Sequence, residues 1–163
     1  MSEQSRYPSP TQIEAYGGEE VQFSDELISL VMDWKKKTWY PLKRDGVFGK
    51  MYALYILVQL LNEHYDMSIK MDIGPDCYQP TKKRILLVSP SVITTLHEFG
   101  HALFGDDELK ACAYSVHLFK RTFPKAWEQL TWDGHVLRRK VIPEGQTVED
   151  VAGMEPDEEV SNG

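Results

Sequence analysis

Ser-Pro-Ser-Val-Ile-Thr-Thr-Leu-His-Glu-Phe-Gly-His-Ala-Leu-Phe-Gly, residues 89–105, decides how the rest of the chain is read. Ser89 offers an N-cap oxygen and Pro90 suits a first helical position. Val92, Leu96, Phe99 and Leu103 then recur at intervals of four, three and four, which draws one apolar stripe along a helix. His97 and His101 lie off that stripe. Gly105 stands where a helix ends most easily. Before this segment, Arg84 to Val88 is a short apolar run and reads as a strand. Ser68 to Ile73 alternates, with Ile69, Met71 and Ile73 on one side, and reads as another.

The helix carries His97-Glu98-Phe99-Gly100-His101. Two histidines four apart point the same way, one turn from each other, so both rings can reach a single tetrahedral zinc. The metal lowers the pKa of a water it holds, and the carboxylate beside the first histidine can accept that proton as the water attacks a carbonyl. Three fixed positions are a short motif. Its setting strengthens it: mid-helix, apolar stripe on the other side, and a glycine at 100 that permits close packing of another helix. The plainer alternative is two partly exposed histidines with a surface glutamate.

A catalytic zinc needs a third protein ligand and an open position. Asp106, Asp107, Glu108, His117 and His135 are candidates. A second helix is expected from Asp106 or Asp107 to about Phe123, stopped by Pro124. On the face of Glu108 lie Ala111, Cys112, Ser115 and Phe119, mostly small, so that face can approach the first helix. This favours Glu108, with Asp107 as the alternative. Cys112 follows Glu108 by one turn, where it could sit near the zinc, but a small buried residue is the favoured reading. Tyr78, Tyr114 and His135 are weaker candidates for stabilising an oxyanion.

Glu108-Leu-Lys-Ala111-Cys-Ala-Tyr114-Ser115-Val-His-Leu118-Phe119, then Pro124, resembles the segment that follows H-E-L-G-H in ImmA/IrrE-like metallopeptidases. Residues 97–101 are similar to that first element, with Phe for Leu. The resemblance covers about residues 84–124. It implies a gluzincin-type site with His97, His101 and Glu108 on one zinc per chain and Glu98 as general base. The spacer between the two motifs is shorter than usual, and no helix-turn-helix DNA-binding segment is evident. The metzincin pattern fits less well, because it needs glycine at 104, where this chain has Phe.

Elsewhere, Ser24 precedes Asp25, Glu26 and the series Leu27, Leu30, Val31, Trp34, which reads as a helix ending near Lys37 to Trp39, before Pro41. Lys35–Lys37 is read as its basic end. Met51 to Tyr65 is apolar on most sides and reads as a buried helix, with His64 as its cap. Residues 1–20 are polar, with two prolines and two glycines, and are expected to be a flexible arm. The net charge of −7 is carried by residues 144–163, where seven acids meet no Lys or Arg, leaving eighteen of each sign in 1–143. A neutral body offers no broad basic field for a phosphate backbone. The acidic end reads as a solvated, disordered tail.

Two separated cysteines do not make a disulfide framework. No apolar run is long enough for a membrane span, and the first residues are not a secretory signal, so a cytoplasmic protein is expected. The expected fold is therefore α+β: a small mixed or antiparallel sheet packed on the zinc-binding helix and a following ligand helix, within a body of residues 21–143. The expected activity is zinc-dependent hydrolysis of a peptide bond in a protein or peptide substrate. A different class also fits: a catalytically inactive structural or interaction protein, phage or bacterial, that keeps zinc for stability.

Overall fold

The computed structural model describes residues 8–16, 23–133 and 136–140. It is α+β, with seven α-helices, one π-helical turn and two small sheets among the described residues. The 144–163 tail lies outside them.

Two elements begin where side-chain oxygens allow it. Helix α2 (Asp25–Trp34) is capped by Ser24, whose hydroxyl accepts from the Leu27 amide at 3.1 Å. Helix α5 (Val92–Phe104) is capped by Ser91 rather than Ser89. Ser91 has an extended backbone, and its oxygen accepts from the Thr94 amide three residues on, so Pro90 stays outside the helix. At the other end Gly105, with φ at +73°, returns its amide to the His101 carbonyl.

The helix expected to end before Pro41 instead continues. A π-helical turn, Lys35–Trp39, joins α2 to α3 (Tyr40–Lys43). A proline ring clashes with the carbonyl four residues back in a regular helix, and the wider π turn just before Pro41 relieves that crowding. Lys35 is buried there and donates to the Thr122 carbonyl at 2.6 Å. It is therefore a cap for the end of another helix, not a solvated basic terminus.

Helix α4 (Gly46–Tyr65) is longer than expected and is not buried all round. Ala53, Leu54, Leu57, Val58 and Leu61 face the core, while Phe48, Tyr52 and Tyr55 stand in solvent. Its C-cap is Asp66 in the left-handed conformation; His64 sits in the last turn. Asn62, near its end, clamps the next segment by accepting from the Ile69 amide and donating to the Ile69 carbonyl.

That clamp leads into β1 (Lys70–Ile73), followed by β2 (Cys77–Gln79) and β3 (Arg84–Leu87). The sheet order is β1-β3-β2, with β1 parallel and β2 antiparallel to β3. Central β3 is buried at Ile85, Leu86 and Leu87. Ile73, expected to share the inner side of β1, is exposed at the strand's end. Strand β2 was not foreseen, because Cys-Tyr-Gln shows no alternation.

Helix α5 packs on β2 and β3 and, on its other side, on α6 (Glu108–Thr122). Asp107 caps α6 by accepting from the Lys110 amide at 3.0 Å. Pro124 does not merely stop α6 but opens a short helix, α7 (Pro124–Glu128), which leads to the hairpin β4 (Leu130–Asp133) and β5 (Val136–Arg139). At the N-terminus, Pro10–Tyr16 is helix α1, not an irregular arm. Ile13 is buried, and the His117 ring donates to the Ile13 carbonyl at 2.7 Å, which pins α1 to α6.

The tightest approach between α5 and α6 is at Gly100. A Cβ placed there would lie 3.0 Å from Ala111 Cα and 3.3 Å from its carbonyl oxygen. Backbone atoms cannot swing aside as a side chain can, so Gly100→Ala should separate the helices. The expected cost is about 1–3 kcal/mol, read as a lower midpoint in urea unfolding with an unchanged slope.

Candidate metal centre

Helix α5 presents His97 and His101 with their ring centroids 4.8 Å apart. Helix α6 follows α5 after a link of three residues, 105–107, and brings Glu108 to meet them. His97 Nε2 lies 3.0 Å from Glu108 Oε1, and His101 Nε2 lies 3.1 Å from Glu108 Oε2. One carboxylate thus engages both imidazoles across the helix pair. The small residues on α6 and the glycine on α5 make this reach possible, as the sequence implies.

His101 is oriented from behind. Its Nδ1 lies 2.7 Å from the Gly105 carbonyl oxygen, which can only accept. Nδ1 therefore carries a proton, and Nε2 is turned to Glu108. A carboxylate also only accepts, so without a metal the ring bears protons on both nitrogens. The hydrogen bond to Glu108 accordingly raises the His101 pKa to about 9, with the Gly105 carbonyl adding to it. The same contacts, His101 first and His97 next, hold the Glu108 carboxyl well below the usual range.

Glu98 is buried, and burial raises its pKa. The two histidines oppose that shift, while Glu108 and Asp76 add to it. A carboxylate whose affinity for a proton is raised is better suited to accept one. Cys112 lies one turn beyond Glu108, its Sγ 3.7 Å from Glu108 Oε1. Burial pushes its thiol up to about 12, with Glu108 contributing.

Asp107 is engaged as the α6 N-cap, its Oδ1 accepting from the Lys110 amide. His117 is engaged with Ile13. Tyr114 is in the core, with its hydroxyl 3.1 Å from that of Tyr65. His135 lies outside the described residues. Of the two oxyanion candidates among the described residues, Tyr78 lines the cleft over the site, together with Asp76, Cys77, His97, Glu98 and His101. This cleft measures about 640 Å³.

The donor set fits a divalent metal. Imidazole nitrogens and a carboxylate oxygen suit zinc, and the Nδ1 bond of His101 is the supporting contact that ligating histidines usually have. Two groupings have all ligand atoms within 4.8 Å of one another: His97, Glu98 and His101, and His97, Glu108 and Cys112. Among the described residues no helix is long and apolar enough to cross a membrane. Comparison with family models, curated proteins and solved structures finds no match.

The paired shifts set a pH window for the metal-free protein. His101 is raised above its ordinary 6.5, so its contribution to stability is complete below 6.5 and is lost as pH rises through about 9. Glu108 is lowered below its ordinary 4.5, so its contribution is present above 4.5 and is lost in acid. The melting temperature of chelator-treated protein should peak between these two ordinary values and fall towards pH 9. Glu108→Gln should flatten the alkaline fall, and an unchanged fall would show that this pair does not produce it.

Proposed function

We propose that the protein is a zinc-dependent peptidase. The observation that carries this reading is the convergence of His97 and His101 on Glu108 with the buried Glu98 carboxylate beside them. His97, His101 and Glu108 would hold the ion, one per chain. Zinc, when bound, supplies a Lewis acid and makes a water acidic near neutral pH.

The chain's own groups do the rest. Glu98 accepts the proton of the attacking water and later donates it to the leaving amine. Its burial keeps bulk water from levelling its basicity. Strand β2 is an edge of the sheet, and Cys77 and Tyr78 line the same cleft as Glu98. An extended peptide can pair with such an edge through its main chain. The Tyr78 hydroxyl is a donor on that wall for a developing oxyanion. The resemblance to ImmA/IrrE-like metallopeptidases supports the same assignment and implies a bacterial or phage setting.

Glu98→Gln separates this reading from a zinc-stabilised structural protein. The variant should keep one zinc, measured by elemental analysis, and lose roughly 100-fold or more in kcat on a cleaved peptide. Glu108→Ala should lose the metal. Equal behaviour of wild type and Glu98→Gln on every peptide of a library would remove the enzyme reading and leave the structural one.

A further inference from the structure

The site has a sulfur side that the two-histidine motif does not announce. Glu108 and Cys112 stand four apart on α6, repeating the spacing of His97 and His101 on α5, so both project from one helix face. Glu108 Oε1 is shared: His97 Nε2 lies 3.0 Å from it and Cys112 Sγ 3.7 Å. The nitrogen, oxygen and sulfur of this trio lie within 4.8 Å of one another. Cys112 is only partly buried. With His97 and Glu108 it lines a second cleft of about 560 Å³, walled by Ile13, Val116, Trp132 and Leu137. Glu98 and His101 line the other, more polar cleft, not this one. His97 and Glu108 form the partition between the two.

We propose that Cys112 is a ligand of the metal held by His97 and Glu108, so that a thiolate enters the coordination shell from the apolar cleft. This rests on the metal reading above. The step is a proton-for-metal exchange: the S–H bond breaks, a sulfur–metal bond forms, and the proton leaves to solvent with no change in oxidation state. A coordinating thiol is deprotonated by the ion itself. Two consequences follow from the chemistry. A mixed nitrogen, oxygen and sulfur set selects zinc or cobalt over magnesium, calcium or manganese. The thiolate would also be a further protein ligand beside the histidines and Glu108, so a hydrolytic water would join the ion as an added, fifth ligand, which zinc accepts.

Cobalt(II) reports the two layers separately. The full chain carrying Cys77→Ser, which leaves Cys112 as its one thiol, is titrated with cobalt(II) and followed by absorption. The expected spectrum has visible ligand-field bands and an intense near-ultraviolet thiolate-to-cobalt band. Adding Cys112→Ser should abolish the near-ultraviolet band, keep the visible ones, and weaken zinc binding about 10-fold or more in chelator competition. Visible bands without the near-ultraviolet band in the parent protein would overturn the Cys112 assignment and leave the histidine–glutamate site standing. No cobalt spectrum at all would overturn both. The deciding measurement is made on the protein that retains Cys112, so poor folding of the double variant cannot obscure it.

Discussion

The contact on which the site depends is the close passage of α5 over α6, where Gly100 meets the backbone of Ala111. Helices with ordinary side chains at their crossing stand 8–10 Å apart. Glycine against alanine brings them nearer, and only then can a side chain as short as glutamate touch both histidines of the facing helix. The three-residue link from Gly105 to Asp107 adds a second constraint. Gly105 takes a conformation that a Cβ would disfavour, and Asp107 caps the next helix at once. Turn, cap and small-residue seam together place Glu108.

This arrangement uses its polar groups economically. The Glu108 carboxylate lies between the imidazoles, within hydrogen-bonding distance of both. Two partly buried rings would otherwise be costly to keep in one place. The same contacts fix the direction of the rings, and an ion bound there would have to displace their protons. Glu98 belongs to a different regime: burial raises its proton affinity against the pull of the two histidines.

Much of this was legible along the chain. The His97–His101 spacing, the apolar stripe on the far side of the helix and the terminating Gly105 are local, periodic features, and the structure carries each of them. Spacing favoured Glu108 but kept Asp107 as an alternative, since the two are neighbours at the start of the same helix. The structure brings Glu108 to both imidazoles, while Asp107 caps the helix at the Lys110 amide. The start of α5 was misplaced by two residues because Ser89 and Ser91 are chemically equivalent caps, and only backbone geometry distinguishes them. The passage of helix through Pro41, the α1 contact and strand β2 were also missed. The first two exist through partners distant in sequence, Lys35 with Thr122 and Ile13 with His117; strand β2 pairs Tyr78 with nearby Ile85, but its short Cys-Tyr-Gln run shows no alternation.

By itself, the amino-acid sequence determined which groups could bind a metal, because helical periodicity translates spacing directly into direction. It also determined where α5 stops, because glycine's freedom is intrinsic to the residue. The tertiary structure decided which carboxylate meets the imidazoles, which cleft each donor faces, and that the Cys112 sulfur lies beside Glu108. Those outcomes depend on the separation and rotation of two helices, and these are set by packing across the whole core rather than by any local run of residues.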